Sequence, residues 1–587
     1  IRERLGSKDY EKERFFMVNR IIFLLFLLVP LTLAQAEIVD EGMTVESNES
    51  MVVTRHFLAS RVGNEILEKG GNAIDSSIAI SFALSVVLPQ ASPIGGGGFM
   101  IIYDTKTDSN YALDYREIAP KAATEDMFII DGKVDRKLAL ESYLSSGIPG
   151  TVYGLYIAHQ RFGSLPWKIL LEPAIELAED GFEVTATLAN SLDKETNRRK
   201  LSKTIDGQEI FFRNGEPLKE GMLLVQKDLA NTLKLVARFG PAGFYKGSVA
   251  QKIHSDMKNN DGLITLTDLQ NYKAKFRQPI EFQYKDLKVV TMPPPSSGGL
   301  LLALMFNMIE NIELDKTKPH TAGNILKISE IMQIAYSLRS IHLADPDFYP
   351  VPMEAFLDKN IAEELLLKVN NSKTSDSSHY DPQNLKIKEN TTHYSVVDKY
   401  GNAVSTTTTL NTAYGSGVVI KGTGLLLNNE MDDFSASPNQ PNYFELLGNE
   451  ANKIEPMKRP LSSMTPTIVF KNEEPILVTG AQGGSRIITA VLQVILNYYE
   501  FGLSPEDSVH LYRYHHQWKP ETLMYEDFEE ELMNELIALG FTLKQRPPNY
   551  DYSNGITSSI MIENDKLIGV SDPRSDDYMS IGISSKK

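Results

Sequence analysis

Strand-like stretches in this sequence come in adjacent pairs, each pair joined by a few polar residues. A glycine run, Gly95 to Gly98, leads into a strand, a polar turn and a second strand that ends at Arg116. YSVVD and AVSTTTTLN, between Tyr394 and Asn411, flank a turn at Lys399 to Asn402. TPTIVFKNEEPILVTG (Thr465 to Gly480) and SSIMIENDKLIGVSD (Ser558 to Asp572) repeat the pattern. Connections this short join only antiparallel neighbours, because a parallel neighbour needs a crossover of a dozen residues or more. Between the pairs run helical patterns. VGNEILEKGGNAIDSSIAISFALSVVLPQ (Val62 to Gln90) reads as two helices broken at Gly70-Gly71-Asn72. The second is apolar nearly all round, which predicts burial on every side. Residues 150–390 are mostly helical in pattern, with breaks at Pro149-Gly150 and at Pro293 to Gly299, and SRIITAVLQVILNYYEFG (Ser485 to Gly502) reads as a further helix. Helices outside strand pairs predict a layered α/β fold with mainly antiparallel sheets.

At 587 residues the chain exceeds what one hydrophobic core supports. Its 42% hydrophobic and 23% charged content is that of a globular protein. A net charge of -17 with no dense basic run argues against nucleic acid as a partner. Cysteine is absent, so disulfides, thiolate metal sites and a cysteine nucleophile are excluded together. The segment from Met17 to Ala36 has a charged start, the apolar run IIFLLFLLVPLTL and the small-residue end Ala34-Gln35-Ala36. That is the build of a secretory signal, and the run is too short for a spanning helix of about 20 residues. Residues 1–36 are therefore expected to be a cleaved signal region with an upstream extension, leaving no membrane segment and a periplasmic or secreted protein; an N-terminal membrane anchor is the alternative, against which stand the proline inside the run and the small-residue end.

Several stretches carry candidate chemistry, each beside a plainer reading. The glycine run lacks the lysine and hydroxyl of a phosphate loop and enters a strand, so tight backbone packing is the better account. His515-His516 has no metal-ligand spacing and reads as a structural pair. NNEMDDFS (Asn428 to Ser435) sets three carboxylates, Glu430, Asp432 and Asp433, in four positions; taken alone it is a solvated acidic turn. RPLSSMTP (Arg459 to Pro466) presents Ser462 and Ser463 between prolines, or is simply a rigid loop. TGAQGGSRII (Thr479 to Ile488) ends a strand, turns on Gly483-Gly484 and opens a helix, where outward N–H groups suit an oxyanion or merely make a turn.

Thr391 follows a polar, aperiodic loop, Asn370 to Asn390, and precedes the hydroxyl-rich hairpin. A threonine hydroxyl is a poor nucleophile without a base. A threonine at a chain N-terminus carries its own, since its free α-amine can take the hydroxyl proton. That requires a break before it, and the loop is the kind of connection where a chain breaks. By spacing alone the stretch is an ordinary hairpin.

TTHYSVVDKYGNAV, LNNEMDDFS, KRPLSSMTPTIV, TGAQGGSRIIT and SDPRS, with IGGGGFM, ALDYREIAP and GIPGTVYG before them, together resemble the γ-glutamyltransferase (γ-glutamyl transpeptidase) family. The resemblance runs in one order from about residue 44 to near the end of the chain. It implies the four-layer αββα fold of N-terminal nucleophile hydrolases, with two stacked sheets. It also implies self-cleavage before Thr391 into a large subunit, 37–390, and a small catalytic subunit, 391–587, held together as a heterodimer. Thr391 would be the nucleophile, Thr409 its neighbour beside the amine, and the amides of Gly483 and Gly484 the oxyanion hole. Arg116, Ser462 and Ser463 would take the substrate α-carboxylate, and Asn411, Glu430 and Asp433 the α-ammonium. Glutathione is the implied donor, water or an amino acid or dipeptide the acceptor, and no cofactor or metal is implied. A loop at Ser437 to Pro456 matches a lid in which Tyr443 or Phe444 is available to close the site. A glutaryl or cephalosporin acylase of the same superfamily is the alternative, although such a substrate lacks the ammonium that Asp433 would serve; a γ-glutamyl-binding homologue that does not process is another.

Overall fold

In a computed structural model of the chain, residues 37–376, 378, 391–437, 441–448, 450–548 and 553–585 are described. The expected signal region, 1–36, and most of the loop before Thr391 lie outside the described residues. The chain divides into a large body, Val39–Ser584, and a second unit made of residues 1–38 and 585–587. The large body carries the fold.

The strands of the two large sheets, in chain order, are β1 (Glu37–Gly42), β2 (Thr44–Ser47), β3 (Ser50–Thr54), β4 (Gly97–Asp104), β5 (Ser109–Asp114), β6 (Lys275–Arg277), β7 (Ile280–Tyr284), β8 (Leu287–Thr291), β9 (Thr392–Val397), β10 (Ala403–Thr409), β11 (Thr467–Lys471), β12 (Glu474–Thr479), β13 (Ala481–Gln482), β14 (Ile556–Glu563), β15 (Lys566–Ser571) and β16 (Met579–Ser585). They make two eight-stranded sheets. The first has the order β1-β16-β3-β9-β10-β4-β5-β6; the second runs β7-β8-β11-β12-β14-β15-β2, with β13 added beside β14. All four expected hairpins are present, as β4–β5, β9–β10, β11–β12 and β14–β15, each antiparallel.

Alternation along the first sheet explains the layering. Val52, Met100, Ile102, Leu113, Tyr394, Val396 and Val404 pack into one apolar cluster with the helices α1 (Phe57–Glu68) and α2 (Ala73–Val87). Their neighbours Met51, Val53, Phe99, Ile101 and Ala112 pack into the other cluster, shared with the second sheet and with α3 (Gly298–Ile309), α4 (Ala322–His342) and α5 (Arg486–Ile495). Side chains of a strand point to opposite faces in turn, so each sheet is covered twice and the order of layers is αββα. All fifteen residues of α2 are buried, as its unbroken apolarity predicts. The helix starts at a capping box in which Asn72 and Asp75 bond each other's backbone N–H.

Two expectations are refined. The helix beginning near Arg486 ends at Ile495 and continues as a wider π turn, Leu496–Glu500. The middle region also contains β7 and β8, which form the edge of the second sheet. In β7 buried and exposed residues alternate strictly, a period of two too short to stand out among longer helical patterns.

Candidate active site

Strands β9 and β10 pair Thr392 with Thr408, so one residue further on Thr391 lies opposite Thr409. Their hydroxyl oxygens are 3.4 Å apart. Both residues are buried. The same face carries His393, Ser395, Ser405 and Thr407 toward the second sheet. His393 bonds Thr407 Oγ1 through Nδ1 at 2.9 Å and Ser395 Oγ through Nε2 at 3.2 Å. Ser395 and Ser405 donate to the carbonyls of Ser558 and Thr479. Burial lowers the His393 pKa to about 3, so this histidine is a neutral link between β9 and β10, while Ser395 and Ser405 carry the bonds to the second sheet.

The glycine run shapes the other side of Thr409. A Cβ on Gly96 would stand 2.0 Å from the Thr409 carbonyl oxygen, and one on Gly95 would stand 1.9 Å from that of Leu426. Close backbone approach is thus what these glycines permit. Beyond Thr409 the chain turns sharply at Asn411, whose φ of 77° is one that asparagine tolerates better than most residues. Asn411 N donates to Thr409 Oγ1 at 2.8 Å, and Asn411 Nδ2 donates to the Asn429 carbonyl at 2.9 Å.

The acidic segment folds as a 3₁₀ turn, Glu430–Asp433. With three residues per turn, Glu430 and Asp433 fall on one side and Asp432 on another. Asp432 bonds Arg136 Nη1 at 3.1 Å and accepts from Tyr443 N at 2.7 Å. Glu430 and Asp433 both bond the guanidinium of Arg116, which also has Glu117 Oε2 at 3.5 Å and donates to the Pro460 carbonyl. These are buried groups, not a solvated turn. Burial works against the charge on Arg116, yet Glu430, Asp433 and Glu117 hold its pKa above the ordinary arginine value. Burial raises the pKa of Glu430 and Asp433 against the pull of Arg116. It pushes that of Glu117 up to about 7, with Arg116 again opposing.

Ser462 and Ser463 sit beside the turn at Ser296-Ser297 that opens α3. Ser462 N donates to the Pro295 carbonyl, and Ser297 N donates to the Ser462 carbonyl, both at 2.8 Å. Gly483 and Gly484, with φ of 131° and 52°, make the turn from β13 into α5; both values favour glycine.

One cavity gathers these groups. It is lined by Thr391, Thr409, Asn411, Arg116, Glu430, Asp433, Ser462, Ser463 and Gly484, with Gly483 next in the chain. Two acceptors in its wall, Asn411 Oδ1 and Glu430 Oε2, have no hydrogen-bond partner among the described residues. Of the two aromatics in the expected lid, Phe444 reaches the cavity, together with Leu446. Sequence reading missed Arg339, Met464 and Ile487, which also line it, and Arg55, whose Nη1 donates to the Thr391 carbonyl at 2.8 Å. No local pattern marks either arginine. His515 and His516 lie elsewhere, buried and bonded to Thr489, Gln517 and the Trp518 backbone. Among the described residues no group of three or more acidic or histidine side chains could hold a metal.

A buried pair of stacked antiparallel sheets inside two helical layers, with a threonine hydroxyl at the start of a central strand, defines the class as the N-terminal nucleophile hydrolases. The solved fold of a cephalosporin acylase from Bacillus halodurans is similar, with TM-score 0.82 and 26% identity over 92% of this chain and 96% of that one. Within the class, this chain belongs to the gamma-glutamyltranspeptidase family, whose model matches residues 59–582. It is similar to the glutathione hydrolase proenzyme of Escherichia coli strain K12, at 44% identity over 543 residues and 92% of each chain. It is similar also to the gamma-glutamyltranspeptidase of Helicobacter pylori, at 40% identity and TM-score 0.54 over 56% of this chain and 93% of that one.

Proposed function

We propose that this enzyme, a γ-glutamyltransferase and glutathione hydrolase, works through Thr391 once the chain has broken before it. The observation that carries the reading is the single cavity in which the Thr391 hydroxyl meets Arg116, Glu430, Asp433 and the serine pair. Freed by the break, the Thr391 α-amine takes the proton of its own hydroxyl, with Thr409 beside it. The hydroxyl oxygen attacks the γ-carbonyl of the donor, and the N–H groups of Gly483 and Gly484 receive the negative oxygen. The tetrahedral intermediate collapses to a threonine ester, and the leaving amine departs with the proton. Water or the amine of an amino acid or dipeptide then attacks the ester and restores the hydroxyl.

Recognition of the α-amino acid head follows from charge exchange. Within the protein Arg116 is held by Glu430 and Asp433. A zwitterionic head brings one of each charge: its carboxylate takes Arg116 with Ser462 and Ser463, and its ammonium takes the carboxylates. The unpartnered acceptors Asn411 Oδ1 and Glu430 Oε2 support an ammonium at that end. They also favour a γ-glutamyl donor over the glutaryl amide of an acylase, which has no ammonium to offer. Glutathione is the donor that the names of the relatives point to.

The two pieces, 37–390 and 391–587, stay together as a heterodimer because β9 and β10 are central strands of a sheet whose neighbours β3 and β4 come from the first piece. Residues 1–36 act as a secretory signal, and the enzyme works in the periplasm or outside the cell. Among the described residues no helix is long and apolar enough to cross a membrane.

Denaturing electrophoresis with an anilide assay tests the reading. The wild-type protein should run as two pieces and release glutamate from a γ-glutamyl anilide faster than glutarate from the glutaryl anilide. A single piece that releases no glutamate overturns it.

A further inference from the structure

We propose that Arg339 is a specificity-determining residue for the carboxylate end of the donor, an inference that rests on the assignment of Thr391 and the serine pair above. Arg339 stands near the end of α4, is buried, and lines the cavity. Its Nε donates to Ser297 Oγ at 2.9 Å and its Nη2 to Ser463 Oγ at 3.3 Å. Ser297 in turn donates its own Oγ–H to the Ser462 carbonyl at 2.8 Å. One guanidinium therefore fixes both members of the serine pair, Ser463 directly and Ser462 through Ser297.

Charge gives the second observation. The ionisable groups lining the cavity are Arg116, Arg339, Glu430 and Asp433. Both carboxylates bond Arg116, with Glu117 close behind it. Arg339 makes no ion pair among the described residues; Asp433 and the Tyr336 phenol act on it only from a distance. Burial draws its pKa down to about 10, which leaves it charged at neutral pH. A buried guanidinium whose bonds among the described residues go only to hydroxyls is unusual, because charges taken out of water are normally matched by an opposite charge. A donor carboxylate seated on the Ser463 hydroxyl would meet this second cation as well as Arg116. A carboxamide in the same place offers it a carbonyl acceptor but no opposite charge.

The test uses the processed enzyme and two γ-glutamyl anilides, one with a free α-carboxylate and one with an α-carboxamide. Arg339→Met should raise KM for the carboxylate donor by about 10- to 100-fold and leave KM for the carboxamide donor within about twofold. Arg339→Lys should recover part of the loss. Arg339→Gln keeps donors for Ser297 and Ser463 without the charge, and covers the case in which the methionine variant fails to process; it should lose the same discrimination. Equal rises for both donors, or wild-type discrimination in the glutamine variant, overturn the proposal while the enzyme reading stands. A wild-type protein inert toward both anilides overturns the enzyme reading itself.

Discussion

The hydroxyl oxygens of Thr391 and Thr409 stand 3.4 Å apart on neighbouring strands, at the open end of a hairpin whose register is fixed from Thr392 to Val397. Register places them on one face, because a shift by one residue would send either side chain to the other side of the sheet. With Thr391 as nucleophile, Thr391→Ala should remain one piece on a denaturing gel and lose activity by about 10⁴-fold or more. Thr409→Val, which keeps the shape and removes the hydroxyl, should still process and should lower kcat about 10- to 100-fold with little change in KM.

Arg116 is enclosed by Glu430, Asp433 and Glu117. Arg116→Met would leave buried carboxylates without their cation. The expected cost is about 3–5 kcal/mol of stability, read as a fall in the unfolding midpoint, together with loss of donor binding. Arg116→Lys restores a charge but not the two-pronged geometry, so it should recover stability more than it recovers KM.

Glu117 gives a pH prediction. Its carboxyl titrates at about 7 in the fold, against 4.5 ordinarily, chiefly because it is buried. Between those values the folded state holds more protons than the unfolded one, so stability falls as pH rises through the window and levels off above about 7. Glu430 and Asp433 shift in the same direction. Glu117→Gln should therefore make the fall shallower without removing it. Urea midpoints from pH 4.5 to 8 check this; an unchanged slope would exclude Glu117 as a contributor.

Gly96 tests the glycine run. A methyl group there would stand 2.0 Å from the Thr409 carbonyl oxygen, backbone that cannot swing away. Gly96→Ala should cost about 1–3 kcal/mol and slow processing, because the displaced strand end carries Thr409. Gly132→Ala makes a control for crowding, since a Cβ there meets nothing within 4 Å; with φ at 74° it carries only local backbone strain.

The hairpins, their antiparallel pairing, the burial of α2 and the break at Asn72 were legible in the sequence because each rests on local physics. Side-chain direction repeats every two residues in a strand and every 3.6 in a helix, and caps act over three or four positions. The glycine run could be read as close packing, though not what it packs against. The motif order was legible through likeness to a family, and it brought Arg116, Glu430, Asp433 and the serine pair into one list without placing them.

Tertiary structure alone decided how those groups meet. Glu430 and Asp433 turn toward Arg116 while Asp432 turns toward Arg136, a division that the run of three acids does not announce. Arg55 reaches the Thr391 carbonyl from 336 positions away, and Arg339 reaches Ser463 from 124. Periodicity carries no information over such separations. Partners there are chosen by which charges and donors are taken out of water together, since each must find an opposite charge or an acceptor within about 3 Å or destabilise the fold.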